Sequence, residues 1–318
     1  MMLPMCPDAI PWIASVCRHS ATNTFALQAF MTAGEQVTIA RGRTSHLHLR
    51  SRGTFMLGNV IRNILMGNGY FLSFASNDNE VRDLLHKLRP YQTDKQLIRI
   101  GGDGDGGYLV PDDLIGIEYC FSPGVARTAS FENDLAGRGI RSFLADYSVD
   151  APPIASDMFT FEKKYLGAVN NDVYMTLETW VEKSLPGYRG DLLLQMDIEG
   201  SEYDVMLETS AQFWKKFRIV VVEFHGLHTM FNKYGLKSFR YCFQKVLDHF
   251  DIVHIHPNNG TNTVRRGDMQ IPGVMEITFL RKDRIQSRKR SNAFPHALDQ
   301  PNIPGKPELN LPDCWYRH

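Results

Sequence analysis

The sequence predicts a doubly wound α/β fold: a mostly parallel seven-stranded sheet with helices on both faces and a C-terminal antiparallel hairpin. Three observations predict it. Apolar runs such as Leu192, Leu193, Leu194 and Ile219, Val220, Val221, Val222 show no alternation, as strands buried on both faces require, and they stop on the acids Asp197 and Glu223. From Ile117 onward such runs alternate with segments of helical period, which implies parallel strands joined by right-handed crossovers. The last two runs, ending at His256 and starting at Val274, are separated by a polar loop with no helical pattern, so the final strand can return antiparallel.

The elements follow in order. Residues 1–75 form a leader without a sustained period, broken by prolines at 4, 7 and 11. A stretch from Thr54 to Ala75 has the length of a membrane anchor, but Arg62 at its centre would cost about 2.5–3.5 kcal/mol on insertion, so an amphipathic or loosely ordered leader is preferred. Val81, Leu84, Leu85 and Leu88 mark a short helix, and Gln96–Ile100 a strand. Gly101 to Tyr108 contains a formal G-x-G-x-x-G match at Gly102, Gly104 and Gly107. A dinucleotide fingerprint must open a helix, whereas Tyr108-Leu109-Val110-Pro111 continues as extended chain, so a glycine-rich hairpin is expected.

Sheet strands are expected at 117–121, 140–145, 158–165, 191–197, 218–224, 251–256 and 274–281. Helices are expected at 127–138, from Thr176, after Ser201 as cap, and at 236–250. The domain is placed at 76–285, and the proline-rich tail 286–318 is expected to be poorly ordered.

Composition narrows the function. Lysine plus arginine and aspartate plus glutamate number 35 each, so no whole-chain charge draws the protein to nucleic acid or to an anionic membrane. The five cysteines contain no Cys-x-x-Cys pair, which argues against a zinc cluster or a disulfide framework. The compartment is left between the cytoplasm, slightly preferred, and a secretory-pathway anchor. The one sequon, Asn259-Gly260-Thr261, matters only in the second case.

In open α/β sheets ligands bind outside the carboxyl ends of the strands. Nucleotide cofactors there need a close-approaching loop and an acid about twenty residues on. Ser122, Pro123 and Gly124 at the end of the first strand and Asp146 at the end of the second supply that spacing. Asp197, Glu199 and Glu202 follow the fourth strand, Glu223 and His225 the fifth, and His254 and His256 lie in the sixth. Glu202 falls in a first helical turn, where the helix dipole alone accounts for a carboxylate. Asp197, Glu223, His225, His254 and His256 are the catalytic candidates, able together to deprotonate a hydroxyl or to bind a divalent cation. Direct general-base help from His225 or Asp197 is preferred over a metal, because the order of acids and imidazoles matches no fixed ligand spacing.

Met-Asp-Ile-Glu-Gly-Ser-Glu-Tyr-Asp-Val at 196–205 closely resembles the signature of the FkbM-like S-adenosylmethionine-dependent methyltransferases. Gly-Asp-Gly-Asp-Gly-Gly-Tyr, Glu-Phe-His-Gly-Leu and the Val-His-Ile-His segment resemble a branch of the same family, over roughly residues 97–281. The resemblance implies a class I methyltransferase fold, S-adenosylmethionine at Ser122, Pro123, Gly124, Asp146 and Asp197, and O-methylation of a sugar or other hydroxyl acceptor; the alternatives are a methyltransferase fold that only binds, and a nicotinamide-dependent oxidoreductase built on Gly102, Gly104 and Gly107. A small-molecule or glycan acceptor is the expected partner. Nucleic acid is not expected, and membrane association through the leader is the less favoured reading. Departing from the family's pattern, the loop after the first strand carries one glycine only, Gly124.

Overall fold

The structure is a computed structural model that describes residues 73–317 continuously, and 29–32, 36–39, 62–63 and 65–67 before them. The chain divides into two units, 1–74 and 75–318. In the first, Ala29–Thr32 pairs antiparallel with Gln36–Ile39. Most of the segment weighed as a membrane anchor lies outside the described residues, and no described helix is long and apolar enough to cross a membrane.

The second unit is built on seven strands: β1 (Tyr119–Pro123), β2 (Arg141–Ala145), β3 (Phe159–Glu162), β4 (Leu192–Met196), β5 (Phe217–His225), β6 (Phe250–Pro257) and β7 (Val274–Arg281). They lie in the order 6-7-5-4-1-2-3. Strand pairs β4·β5, β4·β1, β1·β2 and β2·β3 are parallel, and β7 runs antiparallel between β5 and β6. This is the Rossmann-like, mostly parallel sheet with a terminal antiparallel hairpin that the unbroken apolar runs predict.

Those runs are buried on both sides. Leu192, Leu194 and Met196 join a core with residues of α1 (Asp78–Leu88), α3 (Leu177–Ser184), α4 (Glu202–Glu208) and α5 (Lys233–Leu247). Leu193, Ile219 and Val221 face the other way, onto α2 (Ser130–Gly137) and the hairpin Leu97–Ile100/Tyr108–Pro111. Trp180, Trp214, Phe121 and Phe243 are almost fully buried in the first layer, each worth roughly 1.5–3 kcal/mol of apolar burial or more. Asn77, Thr176 and Asn232 cap α1, α3 and α5 with their side chains. Ser201 precedes α4 but makes no capping hydrogen bond. Glu202 Oε1 instead ties down the turn that leads into the helix, accepting from the backbone N–H of Ile198 and Gly200.

Residues 286–317 depart from the poorly ordered tail expected. Arg288–Arg290 pairs antiparallel with Tyr91–Thr93, and Leu311, Trp315 and Tyr316 are buried in the main core. Proline suppresses helical or strand periodicity without preventing burial of isolated apolar side chains. The tail runs over the β6–β7 edge, where its carboxylates meet histidines of β6.

Candidate functional site

Gly124 closes β1 with φ +92°, and a Cβ placed there would stand 1.6 Å from the carbonyl oxygen of Asp197. Only glycine lets the loop after β1 and the end of β4 come this close. Gly124 N–H donates to Ala145 O, and Ala126 N–H to Asp146 Oδ2, so the ends of β1, β2 and β4 are tied into one rim. Asp146 stands where the spacing places it, at the end of β2, and is 4% exposed. Its Oδ1 accepts from the backbone N–H and the hydroxyl of Ser148, both at 2.7 Å. Ser122 turns its hydroxyl into a buried network with Glu132 and Gln195, so only its backbone is left for a ligand at the rim.

Three of the five catalytic candidates converge. One donor atom each from Asp197, Glu223 and His225 lie within 4.8 Å of one another. His225 Nδ1 is 3.0 Å from Glu202 Oε1, and its Nε2 is 3.9 Å from Asp197 Oδ1 and 3.5 Å from Glu199 Oε2. Glu202 is therefore more than a dipole-compensating acid: fully buried, it fixes the imidazole and the turn before α4 together. Its spacing three residues after Glu199 and within a capping turn carries no sign of this long-range partner. Asn258 Nδ2 donates to Glu223 Oε1 at 2.9 Å.

His254 and His256 do not reach this rim. Both are buried, at 3% and 2% exposure. His254 Nε2 lies 2.8 Å from Asp299 Oδ1, and His256 bridges Glu276 (3.3 Å) and Glu308 (2.6 Å). They are clamps for the tail, whose carboxylates no local pattern places there. Asn302 joins the clamp by donating to Glu276 Oε1. Asn259 does the same from the loop: its amide faces the carbonyls of Ile303, Lys306 and Pro307, and its oxygen accepts from Ile303 N–H. A glycan on this amide would have to break those bonds, so the sequon reads as a structural clamp.

The glycine-rich segment is a hairpin, as expected, and it borders the site. Cβ atoms at Gly101 and Gly107 would overlap Gly106 O and Gly102 O. Arg99 holds the turn through the carbonyls of Gly102 and Gly104, and Ser130 Oγ donates to Gly106 O, joining the hairpin to α2. Asp105 at its tip interacts with His225 and Glu276 across the rim, a role that no sequence signal marks.

Negative charge is in excess. Burial, together with repulsion from Glu199, Glu202 and Asp105 and against the pull of His225, raises the Asp197 carboxyl from 3.8 to about 7. Burial, then Asp197 and Glu276, push Glu223 well above the carboxylate range. For His225 burial works against the charge, but the Glu202 hydrogen bond and the charges of Glu202, Asp197 and Glu223 outweigh it and lift the imidazole to about 10. Such a rim suits a cationic ligand.

The clamp carries a pH dependence of its own. Burial lowers the affinity of His256 for its proton, but Glu276, Asp299 and Glu308 more than compensate, raising it from 6.5 to about 9. A folded-state value above the unfolded one stabilises the fold fully below pH 6.5, and that contribution is lost as pH rises through about 9. The urea unfolding midpoint should fall across this window and fall less in His256→Gln. Equal slopes in both proteins would remove His256 from the explanation.

Residues 174–260 match the family model of the methyltransferase FkbM domain. The matched stretch runs from the segment before α3 to the loop after β6, and so holds Asp197, Glu202, Glu223 and His225, while the Gly124 loop and Asp146 lie ahead of it. A chain of a fibrillarin/Nop5p complex resembles the protein at 10% identity and a TM-score of 0.31, over 52% of this chain and 73% of that one. No curated protein matches the chain.

Proposed function

We propose that the protein is a methyltransferase that moves a methyl group from S-adenosylmethionine to a hydroxyl oxygen, on a sugar-type acceptor. The observation that carries this reading is the convergence of Asp197, Glu223 and His225 at the ends of two adjacent parallel strands, beside the Gly124 close approach. S-adenosylmethionine fits the residues present. It carries a sulfonium and an ammonium, and the rim offers a surplus of carboxylates with the buried oxygens Asp197 Oδ1 and Glu223 Oε2 lacking hydrogen-bond partners. The Gly124 loop and Asp197 would take its amino-acid end and Asp146 its ribose, a hydroxyl of the ribose replacing that of Ser148 on the carboxylate.

When bound, the cofactor supplies an already activated methyl group, and its sulfur keeps the electron pair of the broken bond. The protein's tasks are then to align the acceptor oxygen for in-line attack and to receive its proton. Asp197, half-buried at the mouth of β4 and tied to His225, is the residue placed to receive it. Glu202 positions His225, and through it the rim.

Two substitutions test the assignment. Asp146→Ala should weaken S-adenosylhomocysteine binding by about tenfold or more, a loss of about 1.4 kcal/mol, measured by titration calorimetry. His225→Ala should instead spare that binding and abolish transfer of labelled methyl groups to a panel of glycans and hydroxylated lipids. Unimpaired transfer by a folded His225→Ala protein would take the acceptor away from this rim.

A further inference from the structure

We propose that Asp197, Glu223 and His225 hold a divalent cation of the magnesium or manganese type, which binds the acceptor hydroxyl. The three come from the ends of adjacent strands, and one donor atom of each lies within 4.8 Å of the others. Convergence of acids alone would not make a site. Two further observations do.

The first is the state of the carboxylate oxygens. Glu223 is 4% exposed, Asn258 occupies its Oε1, and its Oε2 has no hydrogen-bond partner. Asp197 Oδ1 is also buried without one. Buried polar atoms in native proteins are nearly all paired, because an unpaired one keeps its full desolvation cost. Two buried carboxylate oxygens without hydrogen-bond partners, beside one imidazole, therefore call for a positive ligand. The second is the support behind the donors. Glu202, fully buried and anchored by the N–H groups of Ile198 and Gly200, stands 3.0 Å from His225 Nδ1. With the Nδ1 proton held by Glu202, Nε2 is the nitrogen that gives up its proton to a bound cation, the carboxylate–histidine–metal arrangement by which proteins orient an imidazole ligand. Asn258 does the corresponding service for Glu223.

Two carboxylates and one imidazole, with no thiolate, select a hard or borderline cation. Three protein donors leave positions for water and for the acceptor. A hydroxyl bound there ionises more readily. Its proton passes to the remaining oxygen of Asp197, the oxygen–methyl bond forms as the sulfur–methyl bond breaks, and the sulfur retains the electron pair. That chemical role rests on the methyltransferase reading above, whereas cation binding does not.

The test uses the full chain, stripped with a chelator and exchanged into chelator-free buffer, then titrated with manganese chloride while free Mn²⁺ is followed by electron paramagnetic resonance. One saturable site per chain is expected. Glu223→Gln and Asp197→Asn should remove it, and Glu202→Gln should weaken it by about 10- to 100-fold. Thermal melting establishes that each variant is folded, and His225→Gln replaces any that is not. Absence of saturable binding, or binding unchanged in folded Glu223→Gln and Asp197→Asn, overturns the proposal. A parallel S-adenosylhomocysteine titration separates the two readings: nucleoside bound without Mn²⁺ removes only the cation, and Mn²⁺ bound without nucleoside removes only the methyltransferase assignment.

Discussion

Replacing Gly124 by alanine is expected to destabilise the domain by about 3 kcal/mol or more and to eliminate S-adenosylhomocysteine binding. The left-handed backbone, φ +92°, is the smaller part of the effect, of order 1–3 kcal/mol. The larger part is steric. A methyl group 1.6 Å from the Asp197 carbonyl oxygen cannot be accommodated by rotating a side chain, because the obstacle is backbone. The ends of β1 and β4 must move apart, and that separation displaces the Asp197 rim from the loop. Gly200 supplies the control: its φ is also positive, at 106°, but no atom lies within 4 Å of where a Cβ would stand. Gly200→Ala should show the backbone strain alone. Urea unfolding of the two variants measures the difference, and comparable losses in both would mean that the β1–β4 approach is looser than described.

Removal of the tail is the second large effect. Trp315 is fully buried among core residues, and its indole N–H donates to Gln270 O. Trp315→Ala should cost roughly 3–5 kcal/mol, as aromatic truncations in packed cores do. A fragment ending at residue 285 loses this side chain together with Leu311, the Arg288–Arg290 strand and the carboxylates paired with His254 and His256. That fragment should not fold cooperatively, whereas 75–318 should. The comparison is made by denaturation of the two purified fragments, and a sharp, stable transition in the shorter one would show the tail to be dispensable.

What the sequence discloses about this protein follows from the range of each signal. The central sheet is legible because Leu192, Leu193, Leu194 and Ile219 to Val222 have no polar face to spare, and the polar loop before Val274 leaves only an antiparallel return for β7. Asp197, Glu223 and His225 can be placed at one rim because strand ends in a parallel sheet share a side. The tail is not legible: its anchoring depends on single residues, Leu311 and Trp315, that contact the core from far along the chain. His254 and His256 are drawn to the tail for the same reason, since their partners Asp299 and Glu308 lie 45 and 52 residues away. Period two correctly puts both imidazoles on one side of β6 but cannot say what covers them. Glu202 is easily underestimated because a carboxylate in a first helical turn already has a local explanation, which conceals its bond to His225 on the next strand.

The rim formed by Gly124, Asp146 and Asp197 is the proposed seat of S-adenosylmethionine, and everything said of catalysis depends on it. The most direct measurement is the thermal melting of the full chain with S-adenosylhomocysteine and, separately, with NAD. At a hundredfold excess over its dissociation constant a ligand that binds only the folded state stabilises it by about 2.7 kcal/mol. A rise in melting temperature with S-adenosylhomocysteine, absent with NAD and lost in Asp146→Ala, is the predicted result. No shift with S-adenosylhomocysteine, or an equal shift with NAD, would contradict it.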